Sequence, residues 1–106
     1  MWLGGSRGTS GPSKESAISV YRRHAARAMT EERWPAAEIF LDRIIEVDPR
    51  NTEAWLMKGL LRHHCKGDDE TAVQCLRNVI VFGAHDSDHP HVQSARRTLG
   101  RILVAW

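Results

Sequence analysis

The chain is poor in cysteine, with Cys65 and Cys75 alone among 106 residues. A secreted domain of this size carries more cysteines at framework spacings, so both are read as reduced thiols, with a disulfide as the alternative. No apolar run approaches the roughly 18 residues that crossing a bilayer requires. The start, Met1-Trp2-Leu3-Gly4-Gly5, lacks the basic region and apolar stretch of a signal peptide, so the expected compartment is the cytoplasm, with no membrane partner. Charge of one sign does not dominate either. The 15 basic residues face 13 acidic ones, a net charge of +2, too balanced to argue for nucleic acid on bulk charge. Lysine is scarce, being confined to Lys14, Lys58 and Lys66, so the basic chemistry is that of arginine. The arginine clusters Arg22-Arg23-Arg27 and Arg96-Arg97-Arg101 have no aromatic residues interleaved, which argues against single-stranded nucleic acid. A glycine-rich phosphate loop, an HExxH pair and a GxSxG elbow are all missing, so neither an enzyme nor a cofactor is expected.

What is present is helical periodicity. Residues 1–14 are rich in Gly, Ser, Thr and Pro and read as a flexible tail, with Trp2 and Leu3 its only apolar groups able to dock. From Ser16 onward, Ile18, Tyr21, Ala25, Ala28 and Met29 recur at steps of three and four, as one helix face requires. After a break at Thr30–Pro35, a second helix with Pro35 in its first turn carries Ala37, Phe40, Leu41, Ile44 and Ile45, and stops before Pro49. Thr52 is the expected N-cap of a third helix over Glu53–Cys65. Lys66-Gly67-Asp68 closes that helix, with glycine in the left-handed conformation. A fourth helix spans Asp69–Phe82, and a polar loop over Gly83–Pro90 leads to a fifth, about 91–105. No segment reads as strand.

Two stretches align with each other. Tyr21, Ala25, Trp34, Ala37, Leu41 and Ile44 are matched in order by Trp55, Gly59, Asp69, Ala72, Leu76 and Val79, while Pro49 has no counterpart in the second stretch. The step from Tyr21 to Trp55 is 34 residues, a period that belongs to helical-hairpin repeats. On these residues, and above all on RWPAAEIFLDRIIEVDPRNTEAWLMKG from Arg33 to Gly59, the chain resembles the tetratricopeptide repeat family. The resemblance implies an all-α fold: an antiparallel helix-hairpin stack of about five helices. Repeat 1 covers about 18–51 and repeat 2 about 52–83. The C-terminal helix, whose Leu99-Gly100 partly matches, stands as a cap or as half of a third repeat. The small residues Ala25, Ala37, Gly59 and Ala72 would let paired helices approach closely. The chain departs from the family pattern at His24 and Lys58, where leucine is usual. It also has 13 residues from Gly59 to Ala72 against 12 from Ala25 to Ala37, so the second hairpin turn should be one residue longer.

The resemblance also implies a groove lined by the first helix of each pair. Arg22, Ala26 and Met29 fall there from the first repeat, Leu56, Met57, Leu60 and His63 from the second, and Arg97 and Arg101 from the last helix. An apolar floor with basic flanks suits a protein or peptide partner bearing apolar and acidic groups, as for an adaptor, an assembly factor or a small chaperone. The asparagines of the family's carboxylate clamp for heat-shock chaperones are replaced at the matching positions, so that specialised role is not expected. A homodimer stays open, with Trp2 and Trp106 as candidates for exposed apolar contact. The alternative function is a metal- or pH-responsive regulator using His85, His89 and His91, although solvated polar loops commonly carry such residues. His63, His64 and Cys65 are neighbours in sequence and point about 100° apart on a helix, so they cannot all face one ion.

Overall fold

In a computed structural model, residues 13–105 are described and form five helices, with no strand among them. They are α1 (Lys14–Thr30), α2 (Trp34–Val47), α3 (Thr52–His64), α4 (Asp69–Phe82) and α5 (Pro90–Ala105). The all-α helical stack that the resemblance implies is the observed architecture. The tail with Trp2 and Leu3, and Trp106 at the other end, lie outside the described residues.

Local chemistry sets the boundaries. Ser13 caps α1 by accepting a hydrogen bond from the Ser16 N–H at 3.1 Å, so the helix takes in Lys14 and begins two residues before Ser16. Between α1 and α2 the chain makes a tight reversal in which Glu32 takes a left-handed φ of 57°. Its neighbour Arg33 donates its N–H to the Ala28 carbonyl at 2.8 Å, satisfying an orphan acceptor of the helix end. Asn51, not Thr52, caps α3: its side chain accepts from the Ala54 N–H at 2.9 Å. Both residue types serve as caps, and the backbone enters the helix one residue earlier than the expected Thr52 cap implies. The α3–α4 turn is one residue longer than the first and passes through Gly67 at φ 66°. Asp68 then caps α4 through the Thr71 N–H.

Packing follows the small residues. Helices α1 and α2 form one hairpin, α3 and α4 a second, α3 also lies against α2, and α5 covers α4 and α3. Two apolar clusters result. Ala25, Ala28, Ala37, Leu41, Ile44, Ala54 and Leu61 fill the first, and Leu56, Ala72, Val73, Leu76, Val79, Val92, Ala95 and Ile102 the second. Helix α3 contributes to both. At Gly59 a Cβ would sit 2.9 Å from Leu76 Cδ2, so only a glycine lets α4 approach this closely. Gly83 plays the same part for α5, since a Cβ there would lie 2.5 Å from Val92 Cγ2.

The two departures from the repeat pattern find partners. The His24 ring stacks on Phe40 of α2 at 5.1 Å. Lys58 Nζ reaches across to Asp42 Oδ1 at 2.7 Å, and one turn on Arg62 pairs with Glu38 of α2 and with Asp68 at 3.2 Å. A two-rung ladder of charges thus fastens the second hairpin to the first. Glu38 is buried, so a missing Arg62 would leave a desolvated carboxylate.

Two stability outcomes follow. Gly59→Ala should lower stability by about 1 kcal/mol, because overpacking against Leu76 outweighs the gain in helix propensity, whereas Gly100→Ala, where a Cβ meets nothing within 4 Å, should raise it by about 1 kcal/mol. Thermal denaturation should show Tm shifts of opposite sign; shifts of the same sign would refute the packing assigned to Gly59. Arg62→Met should cost about 2 kcal/mol in urea denaturation, a figure reduced for partial exposure, and adding Glu38→Met should restore most of it. Additive losses in the double variant would show that the pair is not coupled.

Candidate partner-binding surface

Helical geometry sorts the residues expected to line a groove. On α1, Arg22, Ala26 and Met29 are spaced by four and three and share one shoulder of the helix. Arg22 and Ala26 are exposed, and Met29 is half-buried against the first cluster. On α3, Leu56, Leu60 and His63 share a face, but Met57 stands about 100° round the helix from Leu56. Leu56 is core, only 7% exposed, and Leu60 packs beside it on the second cluster, whereas Met57 packs on the first. His63 is held by Asp69, with Nδ1 2.7 Å from the carboxylate, and its ring lies against that of His64. Arg97 and Arg101 are exposed on α5.

The structure therefore splits the expected lining in two. Leu56 and Leu60 turn toward the α4–α5 side, and Met57 turns toward the α1–α2 side. The backbones of α1 and α3 make no close approach along their lengths among the described residues. An ion pair joins them, Arg22 Nε to Glu53 Oε1 at 2.8 Å, and side chains of both reach the first apolar cluster.

A cleft opens where the starts of α3 and α5 meet α1. Its volume is about 450 Å³, and Arg22, Asp48, Arg50, Thr52, Glu53, His89 and His91 are among its walls. The sequence points to Arg22, His89 and His91 separately but gives no sign that they meet. The link is Thr52, whose Oγ1 lies 3.1 Å from His91 Nδ1 across 39 residues of sequence. Arg50 is set over the Phe82 ring at 5.5 Å, and Trp55 locks the same turn by donating its indole N–H to the Pro49 carbonyl at 2.7 Å. His89 caps α5: its Nδ1 accepts the His91 N–H at 3.1 Å, so that nitrogen carries no proton while the cap stands. The two imidazole rings lie 4.5 Å apart.

His85 borders a smaller adjoining cavity that His89 also lines. Among the described residues no three His, Cys, Asp or Glu side chains gather into a metal-binding group. Both cysteines are free: Cys65 is exposed, and Cys75 is buried, with its thiol pushed up to about 11 by desolvation. Among the described residues no helix is long and apolar enough to cross a membrane. Compared with known proteins, the chain matches no family model, no curated protein and no solved structure.

Burial lowers the pKa of His91 from 6.5, His89 lowers it further, and Glu53 opposes both. A histidine with a depressed folded-state pKa takes up its proton more readily when unfolded, so its stabilising contribution is present above pH 6.5 and is lost as the pH falls below it. Tm should therefore drop as the pH is lowered from 7 to 5.5, and His91→Gln should flatten that part of the curve. An unchanged slope in the variant would remove His91 from the account.

Proposed function

We propose that this chain is a tetratricopeptide-type interaction module of the cytoplasm, an adaptor, assembly factor or small chaperone that binds a partner protein and performs no catalysis. The period of 34 residues between Tyr21 and Trp55 supports the family reading, as does the burial of Ala25, Ala37, Gly59 and Ala72 between paired helices. The observation that carries the functional reading is the open relation of α1 and α3. Ala26 is exposed on α1, Met29 and Met57 are half-buried, and Arg22 on α1 and Arg97 and Arg101 on α5 are exposed. Methionine side chains adapt to varied apolar partners, and arginines bind carboxylates in a bidentate manner. A partner segment with apolar anchors and acidic groups fits this chemistry.

A second reading, a proton-responsive regulator, draws support from the His89 cap and the Thr52–His91 hydrogen bond, which join the α4–α5 loop to the start of α3.

The test is capture of the partner from the native cell, followed by measurement of its binding to Ala26→Glu and Arg97→Glu. Both sites are exposed, so both variants should fold. Each should weaken binding by about tenfold, as an introduced charge opposes an acidic, partly apolar ligand. Unchanged affinity with both variants would overturn the reading.

A further inference from the structure

Ala25 of α1 and Gly59 of α3 correspond in the repeat, and each is covered by the second helix of its hairpin. By the same alignment Gly100 marks α5, yet a Cβ at Gly100 would meet nothing within 4 Å. A glycine in the middle of a 16-residue helix weakens that helix, and no contact within the described residues compensates for it. Around Gly100, the outward face of α5 carries Arg96 and Arg97 on one turn and Leu103 and Val104 on another, with Val104 88% exposed.

The charges on this helix also lack partners. Arg22, Arg27, Arg33, Arg43 and Arg62 each bind a carboxylate. Arg96, Arg97 and Arg101 form no ion pair among the described residues, and the α5 sequence contains no Asp or Glu. We infer that the outward face of α5 is a docking surface for an acidic amphipathic helix of a partner protein, which lies across Gly100 as α4 lies across Gly59. Its apolar residues cover Leu103 and Val104, and its carboxylates pair with Arg96, Arg97 and Arg101. Charge selects this occupant: a second copy of α5 would set arginines against arginines. The surface is separate from the α1–α3 shoulder of the proposed function, although that reading also assigns Arg97 and Arg101 to its partner.

The probe is a fluorescein-labelled 16-residue peptide with leucine and alanine on one helical face and glutamate on its flanks, compared with the same peptide carrying lysine for glutamate. Titrated with the full chain at low salt, the glutamate peptide should bind at least about tenfold more tightly than the lysine peptide, and 0.5 M salt should weaken it strongly. Gly100→Gln should lower its affinity by about tenfold while raising the Tm of the free chain, so that lost binding is not lost folding. Arg96→Glu should lower it by a similar factor. Equal binding of the two peptides, or a silent Gly100→Gln, would overturn the inference. So would sedimentation showing a dimer of the free chain that Gly100→Gln dissociates, since the occupant would then be a second copy. Ala26→Glu should leave this peptide's affinity unchanged. If it alone abolished binding, the peptide would be using the α1–α3 shoulder, and this inference would fail while the proposed function stood.

Discussion

The nesting of α3 against α4 at Gly59 is the contact on which the rest of the structure depends. Helix α3 is the one element that meets α2, α4 and α5, and it supplies buried residues to both apolar clusters. A side chain at Gly59 would push α4 away and displace Leu76, which is fully buried in the second cluster. On its other side α3 cannot be apolar throughout, because Lys58 and Arg62 reach the carboxylates of α2 there. One helix thus joins its neighbours in two ways, by close backbone approach on one side and by partly desolvated ion pairs on the other. The first supplies burial. The second fixes which turn of α3 meets which turn of α2, since sliding by one residue would break both rungs.

The same constraint explains how the ends are built. With α3 fixed, the turn that precedes it is held by Trp55 bonding back to Pro49 and by Arg50 over Phe82. That turn then lies beside the start of α5, where Thr52 meets His91. Sites that are far apart in sequence converge there because the α3–α4 hairpin returns the chain to the start of α3, where α5 begins. The chemistry of the polar cleft, two arginines and two histidines facing Asp48 and Glu53, is particular to this chain.

The sequence carried the fold well and the surface less well. Five helices, the longer second turn, Gly67 at a positive φ and the burial of Ala37 and Gly59 were all legible, because spacing and small residues act locally and along one helix face. Lys58 and His24 looked like departures from a repeat, and only the tertiary arrangement shows Asp42 and Phe40 waiting opposite them. Of the residues expected to line a groove, the three on α1 share one shoulder of the helix. On α3 the alignment places Leu56 and Met57 together, while 100° of helical rotation sends them to different clusters. The Thr52–His91 link had no local signal at all, being a contact across 39 residues.

If α3 is the element that everything else rests on, its amides should open only when the whole domain unfolds. Native-state hydrogen exchange followed residue by residue measures this directly. The slowest-exchanging amides should lie in α3 and on the facing side of α4, with α1 and α5 exchanging faster through local opening. Slowest exchange in α1 or α5, with α3 opening before them, would contradict this.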